Sequence, residues 1–292
     1  MKLIFLGTAA GRPTLRRSLP CIAFKYNGET ILFDCGEGAQ RQMISLVSPL
    51  KIEKIFISHF HGDHYLGLGG LLQTMSLNRR EKPLSIFGPQ GSTRYLKNFF
   101  SSGHFGIRFP IYIYEMEEDT VEEDTYIIRS FPVEHGVPTL GFVFEEKEKR
   151  GRFLEEKARS LGIHGRLFTE IERNGFVELE GRKILLEDVT GPRRPGKRIV
   201  LSSDTVPCDR VLQEAQDCDL LIHEGTYIAE EDRRGTHHTI VQEACNIAAK
   251  AGVKKLVLTH ISQRYEDDEV LREAEKYFNP VVVAFDFLEI YI

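Results

Sequence analysis

Short stretches of alternating hydrophobic and polar residues fill the first half of the chain, a pattern typical of β-strands. Cys21–Tyr26 and Thr30–Phe33 flank Asn27-Gly28, a dipeptide that favours a tight hairpin turn, so these stretches are predicted to pair as antiparallel strands. From Ile199 onward, short apolar stretches alternate with longer stretches of helical periodicity. The pattern predicts an α/β protein in which two sheet-plus-helix halves face each other across one core.

The predicted strands and helices lie on both sides of one irregular segment. The predicted strands are Lys2–Leu6, Cys21–Tyr26, Thr30–Phe33, Ile55–Ile57, Leu84–Phe87, Ile111–Tyr114, Tyr126–Phe131, Leu140–Phe144, Ile199–Leu201, Leu220–Ile222, Leu256–Leu258, Val281–Ala284 and Phe287–Tyr291. The predicted helices are Ala39–Leu46, Tyr65–Leu77, Gly91–Ser101, Val206–Ala215, Thr239–Ala249 and Asp267–Tyr277. The irregular segment, residues 145–198, is charged, contains many Gly and Pro residues and has few long apolar periods.

Composition sets the broad class of the protein. The 292 residues are 41% hydrophobic, which is enough for a large core, and the formal net charge is −5. The five cysteines are scattered and form no CxxC pair, so they favour a reducing compartment over a disulfide framework. The first residues do not resemble a signal peptide, and no apolar run reaches the roughly 18 residues of a membrane span. We therefore expect a cytoplasmic protein that does not span a membrane.

The strongest chemical signal is the stretch Ser58-His59-Phe60-His61-Gly62-Asp63-His64-Tyr65, which directly follows a predicted strand. In an extended segment, side chains two positions apart point the same way, so His59 and His61 can reach one metal ion. Asp63 and His64 then face a second position beside it. Four residues of ligand type at this spacing predict a metal site rather than a loop of surface histidines.

Three later residues of ligand type, His135, Asp204 and His260, also follow predicted strands. Taken singly, each has an ordinary alternative: a helix cap for Asp204, and a core or surface position for the two histidines. Together with the first stretch, they can converge on one edge of the core. Seven nitrogen and oxygen ligands suit two zinc ions, with manganese or iron as alternatives. Asp204 is the natural bridge between two metals, which at a separation of about 3.5–4 Å can clamp a phosphate undergoing in-line displacement.

This set of residues resembles the metallo-β-lactamase superfamily, whose motif reads His59-x-His61-x-Asp63-His64 here and is completed by His135, Asp204 and His260. The resemblance implies a four-layer αββα sandwich with two Zn²⁺ ions per subunit at one edge. It implies that one metal is bound by His59, His61, His135 and Asp204. The other would be bound by Asp63, His64, Asp204 and His260.

Within the superfamily, the chain resembles the ribonuclease Z family of tRNA 3′-processing endonucleases, and the matching stretches run nearly from end to end. They are Phe5-Leu6-Gly7-Thr8, Phe33-Asp34-Cys35-Gly36-Glu37-Gly38-Ala39-Gln40-Arg41-Gln42, Leu68-Gly69-Gly70-Leu71-Leu72, Ser203-Asp204-Thr205, His223-Glu224-Gly225-Thr226, His237-His238-Thr239 and Leu258-Thr259-His260-Ile261-Ser262-Gln263-Arg264-Tyr265. The family pattern His-Ser-Thr reads His-His-Thr in this chain. We assign His237 to the family's histidine, and the neighbouring His238 keeps a second assignment open.

The resemblance implies hydrolysis of the phosphodiester after the discriminator nucleotide of precursor tRNA, leaving a tRNA 3′-hydroxyl and a 5′-phosphate on the trailer. Asp63 is then both a metal ligand and the general base. His237, oriented by Glu224, is the predicted proton donor to the leaving 3′ oxygen. A carboxylate beside a cationic imidazole raises the pKa of that imidazole and keeps the proton available near neutral pH.

Residues 145–198 take the place of a protruding arm that grips tRNA in this family, and we call them the arm. We therefore expect one metallo-β-lactamase domain over residues 1–292, with a flexible arm inserted at about 145–198. The arm contains 14 Lys and Arg against 11 Asp and Glu, a net charge of +3, so the rest of the chain carries −8. Basic side chains on such an arm supply largely sequence-independent affinity for phosphates. The family also implies a homodimer. From composition alone, the arm is equally well a solvated loop of mixed charge.

Two other functions are compatible with parts of the sequence. A small-molecule hydrolase of the same fold needs the metals but has no use for a basic arm or for the Glu224/His237 pair. A non-catalytic RNA-binding protein on this fold would be expected to have lost ligands, yet all seven are present.

Overall fold

Sixteen strands and ten α-helices are present in the computed structural model, which describes residues 1–292. Numbered along the chain, the strands are β1 (Lys2–Gly7), β2 (Cys21–Tyr26), β3 (Glu29–Phe33), β4 (Ile52–Phe56), β5 (Leu84–Pro89), β6 (Ile111–Met116), β7 (Thr120–Glu122), β8 (Tyr126–Val133), β9 (Thr139–Glu146), β10 (Phe176–Leu179), β11 (Arg182–Leu185), β12 (Arg198–Leu201), β13 (Leu220–Glu224), β14 (Leu256–Thr259), β15 (Val281–Val283) and β16 (Glu289–Tyr291). The helices are α1 (Ala39–Met43), α2 (Gly62–Tyr65), α3 (Leu68–Leu77), α4 (Ser92–Ser101), α5 (Glu155–Ser160), α6 (Arg166–Asn174), α7 (Asp209–Glu214), α8 (Glu230–Arg233), α9 (Val241–Lys250) and α10 (Asp267–Ala274).

Two seven-stranded sheets form the frame, in the orders β16-β1-β2-β3-β4-β5-β6 and β15-β14-β13-β12-β9-β8-β7. In the first sheet, β3 to β6 run parallel, and in the second, β12 to β15 run parallel. Strands such as Leu220–Glu224 are buried along their whole length, as expected of parallel strands covered on both faces. Parallel neighbours also end at the same edge, so the loops that follow them meet there.

Aromatic rings fill the space between the two sheets. Phe142 of β9 packs against Phe33 of β3 and Phe56 of β4, with ring centroids 5.6 and 5.4 Å apart. On the outer faces, α3 and α4 pack against the first sheet, and α7, α9 and α10 pack against the second. The αββα sandwich predicted from the sequence is therefore confirmed.

Contacts divide the chain into two compact units. The larger comprises Met1–Glu122, Ile127–Phe144 and Arg198–Ile292 and contains nearly all of both sheets. The smaller comprises Glu123–Tyr126 and Glu145–Lys197, and thus nearly all of the arm.

The smaller unit has regular structure that the sequence pattern did not predict. It contains α5, α6 and the hairpin of β10 and β11 around a small core formed by Ala158, Ile163, Ile171, Val177, Ile184 and Val189. Its two ends are joined by the hydrogen bond from Glu146 N to Lys197 O (2.8 Å), and Lys149 and Arg194 form an antiparallel bridge. Each helix and strand there is shorter than ten residues, so its apolar side chains are too few to give a clear period.

The other predicted elements match the structure with shifts at their ends. The predicted helix Tyr65–Leu77 is two helices, α2 and α3, so Asp63 and His64 lie on a helical turn and not in an extended loop. The predicted helix Val206–Ala215 begins three residues later, at Asp209. No helix combines the length and apolar character needed to cross a bilayer.

Candidate metal centre

Both sheets contribute to one cluster of side chains in the loops that follow their strands. His59 lies just after β4 of the first sheet. His135, Asp204 and His260 follow β8, β12 and β14 of the second sheet. The structure thus brings together all seven residues predicted as metal ligands. The backbone is unusual at two positions of these loops: Ser203, next to Asp204, and His260 have φ values of 57° and 56°, which are uncommon for residues other than glycine.

Three histidines form the first half of the cluster. His61 Nδ1 lies 3.0 Å from His59 Nε2 and 3.1 Å from His135 Nε2. Burial lowers the pKa of all three imidazoles, most strongly for His59, and so favours the neutral form. Neutral imidazoles crowded around one point are what a bound transition metal requires.

Two carboxylates and two histidines form the second half. Asp204 Oδ2 lies 3.2 Å from both His64 Nε2 and His260 Nε2, and 3.8 Å from His59 Nε2. Asp63 Oδ2 lies 3.4 and 3.6 Å from the same atoms of His64 and His260. A single oxygen of Asp204 is thus close to ligand nitrogens of both halves, as a bridging ligand must be.

The buried nitrogens of this half fit a cation. His64 Nε2 and His260 Nε2 are buried and have no hydrogen-bond partner of good geometry. Buried polar atoms are rarely left unpaired, so an additional group is expected between them and the carboxylates. The pKa of Asp63 lies well below its usual range: burial opposes this shift, but the adjacent His260 and His64 imidazoles, 3.6 and 3.4 Å away, outweigh it. Asp63 is therefore ionised and able to bind a metal.

A second layer of hydrogen bonds holds the histidine rings. Asp34 Oδ2 lies 2.8 Å from His64 Nδ1, and the Asp34 carboxylate also accepts bonds from Ser58 N (2.7 Å) and Ser58 Oγ (2.9 Å). Thr226 Oγ1 lies 2.8 Å from His260 Nδ1. Each contact occupies Nδ1 and turns Nε2 toward the cluster. Asp34 has φ of 57°, so the backbone is held in an unfavourable conformation at this point.

These supporting residues were not assigned from the sequence. Asp34 lies in the stretch Phe33–Gln42, which resembles the ribonuclease Z family, but the sequence assigned no role to this residue. Ser58 and Thr226 each lie one or two residues from a predicted site residue, and only their tertiary contacts distinguish them.

Glu224 pairs with His238, and the prediction that it orients His237 is wrong. His238 Nδ1 lies 2.9 Å from Glu224 Oε1, whereas His237 is exposed and contacts His135 instead, with its carbonyl oxygen 2.8 Å from His135 Nδ1. The His237 ring packs edge-on against the His135 ring with centroids 6.4 Å apart, so of the two imidazoles only that of His238 binds Glu224. The His238 ring stacks on His260 with centroids 5.2 Å apart.

The Glu224–His238 pair is largely shielded from solvent. Glu224 is 1% exposed, and its carboxylate also accepts hydrogen bonds from Thr205 N (2.8 Å) and Thr226 Oγ1 (2.5 Å). Burial lowers the pKa of His238, but the hydrogen bond and charge of Glu224 outweigh burial and raise that pKa to about 9. The Glu224 carboxylate therefore favours the protonated, hydrogen-bond-donating form of His238 beside the cluster.

Other polar residues of the stretches that resemble the ribonuclease Z family lie outside this cluster. His223 is buried and binds the Glu224 carbonyl oxygen through Nδ1 at 2.7 Å. Arg264 and Tyr265 both bind Asp232, Arg264 at 3.0 Å.

Comparison with known proteins places the chain in a family. The sequence model of the Metallo-beta-lactamase superfamily matches residues 19–260. Ribonuclease Z from Thermococcus onnurineus is 50% identical over 290 residues, covering 98% of this chain and 93% of that protein. Ribonuclease Z from Thermococcus gammatolerans is 49% identical over 287 residues, covering 98% and 91%.

A solved structure agrees with these matches. The crystal structure of the short form of human tRNase Z superposes with a TM-score of 0.72 at 27% identity, covering 100% of this chain and 99% of that one. The chain belongs to the metallo-beta-lactamase superfamily and, within it, to the ribonuclease Z family.

Proposed function

We propose that the protein is a zinc-dependent endoribonuclease that removes the 3′ trailer of precursor tRNA by cutting after the discriminator nucleotide. The observation that carries this proposal is the adjacency of two features. One is the seven-residue cluster joined by Asp204, and the other is the cationic His238 held by buried Glu224. A two-metal site beside a proton donor suits a phosphodiester with a poor, alkoxide-like leaving group.

Two zinc ions per subunit are the proposed cofactors. His59, His61, His135 and Asp204 would hold one of them, and Asp63, His64, Asp204 and His260 the other. When bound, the ions supply Lewis acidity, which lowers the pKa of water and neutralises charge on the phosphate. The unpartnered Nε2 atoms of His64 and His260 support this assignment.

His238 is proposed to protonate the leaving 3′ oxygen. As water oxygen bonds to phosphorus, the bond from phosphorus to O3′ breaks, and the proton on His238 Nε2 passes to O3′. The products are a tRNA 3′-hydroxyl and a trailer with a 5′-phosphate. Glu224 holds the opposite nitrogen, Nδ1, at 2.9 Å, which fixes the ring with Nε2 free to donate.

Asp63 is proposed as both a metal ligand and the acceptor of the proton from the attacking water. Its Oδ2 also accepts a hydrogen bond from Gly11 N at 3.1 Å, which fixes the carboxylate at the mouth of the cluster. His237, the donor predicted from the sequence, is in this proposal a positioning residue that binds His135 through its carbonyl oxygen.

The arm is proposed to bind the tRNA body. It carries exposed arginines that have no carboxylate partner, which are Arg152, Arg166, Arg173, Arg182 and Arg193. Such side chains neutralise phosphates and give affinity that falls with salt. Its positive charge explains how a protein of net charge −5 binds RNA.

A cytoplasmic homodimer is the proposed state of the protein. All five cysteines are free and buried, which suits a reducing compartment. The dimer follows the resemblance to the ribonuclease Z family, and Ile44 and Leu77, which are 81% and 82% exposed, are candidates for its interface. A molar mass near 33 kDa by light scattering, which is that of one chain, would contradict the dimer.

Cleavage of a 3′-extended precursor tRNA by the wild type and by Asp63→Ala tests the function. We expect the wild type alone to cut at the discriminator, with a 5′-phosphate on the trailer. A precursor left intact by the zinc-loaded wild type would refute the proposal, and equal activity of both proteins would refute the role of Asp63.

Deleting the arm separates substrate binding from chemistry. Replacing residues 150–193 by a short glycine turn keeps the Lys149–Arg194 bridge and the Glu146–Lys197 hydrogen bond that close the base of the insert. We expect tRNA cleavage to be lost while hydrolysis of a small phosphodiester is retained. Unchanged tRNA cleavage would show that the arm has no part in binding.

A further inference from the structure

A cluster of aromatic rings adjoins the metal centre on the side of the first sheet. Phe60 lies between ligands His59 and His61, and its ring packs against Tyr95 of α4 and Tyr65 with centroids 4.8 and 5.1 Å apart. Tyr65, which follows ligand His64, packs in turn against Phe99 at 5.6 Å. Two of the four rings therefore belong to the segment that carries four of the proposed ligands.

Tyr95 presents this cluster to solvent. Its side chain is 41% exposed, although it is a large ring in direct contact with Phe60. Gly91 leaves space for the ring, since a Cβ atom at position 91 would lie 3.0 Å from Tyr95 Cε2. The exposed side chain of Arg94 also lies beside the ring, with Cζ 4.9 Å from the ring centroid and Nη2 donating to Tyr95 Oη at 3.2 Å.

The surface around Tyr95 is basic. The exposed face of α4 carries Arg94, Tyr95, Lys97 and Asn98, and the helix contains no acidic residue. The carboxylate of Glu115 reaches the start of the helix, where it accepts hydrogen bonds from Gly91 N (3.1 Å) and Thr93 N (3.0 Å). Aromatic faces between basic side chains are the combination that binds unpaired nucleotides by stacking and phosphate contact.

We propose that Tyr95, supported by Phe60 and flanked by Arg94, stacks on an unpaired base of the 3′ trailer, an inference that rests on the proposed function. The leaving 3′ oxygen remains on the tRNA and lies beside His238, which comes from the segment after the second sheet's β13. The trailer keeps the phosphate and extends from the opposite side of the scissile bond, toward the segment after β4 that carries Phe60. Trailer bases are unpaired, and stacking accepts any base, as trailers of varied sequence demand.

The alternative is a purely structural role, in which these rings only pack α4 against the segment Ser58–Tyr65. A structural role predicts that loss of the Tyr95 ring weakens every reaction of the enzyme equally. A stacking role predicts a loss confined to substrates whose trailer has bases. The two roles therefore differ in a measurable dependence on substrate.

The test compares Tyr95→Leu with wild type on two precursors, one with a natural eight-nucleotide trailer and one with an abasic trailer of the same length. We expect Tyr95→Leu to raise KM roughly 5-fold or more on the natural trailer, the effect of losing one stacked base. On the abasic trailer we expect a change below about twofold, because there is no base to lose. Tyr95→Phe, which keeps the ring, should restore the wild-type KM.

Tyr291→Leu is the matched control. Tyr291 is 71% exposed and also has a basic partner, with Lys2 Nζ 5.3 Å from its ring, but it lies on the strand β16 at the far edge of the first sheet from β6. Equal losses by Tyr95→Leu on both trailers, or an equal loss by Tyr291→Leu, would overturn the stacking role.

Direct binding separates this inference from the proposed function. Fluorescence anisotropy with a labelled single-stranded octaribonucleotide measures binding without cleavage. Tyr95→Leu should weaken the binding of this octamer by the same factor as it raises KM, roughly 5-fold or more. An abasic octamer should bind wild type and variant equally. If the wild type cleaves no precursor, the proposed function fails, and this comparison still decides the stacking role. Equal affinity of wild type and Tyr95→Leu for the octamer would refute it.

Discussion

Replacing Glu224 by glutamine should make the enzyme sensitive to alkaline pH. Glu224 raises the pKa of His238 from an ordinary 6.5 to about 9, a difference worth about 3 kcal/mol at roughly 1.4 kcal/mol per unit. His238 must be protonated to donate, so activity is retained below this pKa and lost above it. Without the carboxylate, the pKa falls to about its ordinary value or below. Bound zinc ions lower both pKa values by repulsion and leave most of the difference between them.

The expected loss depends on pH. At a pH midway between the two pKa values, the wild-type imidazole is mostly protonated and that of the variant mostly neutral, so kcat should fall about 10-fold or more. At a pH below both pKa values the two proteins should differ by less than about twofold. The alkaline limb of the kcat profile should therefore move down by about 2 pH units in Glu224→Gln.

The assay uses two substrates and two neighbouring variants. His238→Ala should lose about 10²- to 10⁴-fold in kcat on precursor tRNA, the usual contribution of a general acid. It should keep its activity on a p-nitrophenyl phosphodiester, whose leaving group needs no proton. His237→Ala is the matched control and should stay within a few-fold of wild type, because its imidazole is exposed and Glu224 binds His238 instead.

Three results would refute this reasoning. A larger loss in His237→Ala than in His238→Ala would restore the assignment made from the sequence. Equal loss by His238→Ala on both substrates, with zinc content reduced, would make His238 a metal ligand. If the alkaline limb of the kcat profile lies at the same pH in Glu224→Gln as in the wild type, the carboxylate does not raise the pKa of the donor.

Three further predictions concern the metals and the arm. Asp34→Asn removes the carboxylate bound to His64 Nδ1 and should weaken zinc affinity about 10- to 100-fold in a chelator competition; unchanged affinity would remove Asp34 from the metal support. Chelation should abolish activity and lower Tm, because the crowded imidazoles and carboxylates lose their counter-charge, and added zinc should restore both; a Tm that is unchanged would contradict the metal site. Ile171→Ala in the core of the arm should cost that unit about 2–5 kcal/mol, seen as faster proteolysis within residues 145–197 while hydrolysis of a small phosphodiester is unchanged; loss of both would show that the units unfold together.

The sequence by itself determined the architecture and the membership of the histidine and aspartate cluster. Buried parallel strands have a distinct apolar pattern, and the members of the cluster stand at strand ends or in the segment directly after one, where neighbouring strands of a sheet meet. Spacing alone therefore located His59, His61, Asp63 and His64, and strand ends located the rest. These signals are local in the chain and can be read without coordinates.

Only the tertiary structure decided which groups touch. The choice between His237 and His238 depends on which imidazole reaches Glu224 when their loop packs against it, and the local sequence does not specify this. Asp34, Ser58 and Thr226 support the ligands through contacts with residues that the sequence does not mark as partners. The arm folds around six buried side chains spread over short elements, where no periodicity of useful length exists. Long-range contacts such as these depend on how the sheets pack, and local pattern carries no information about them.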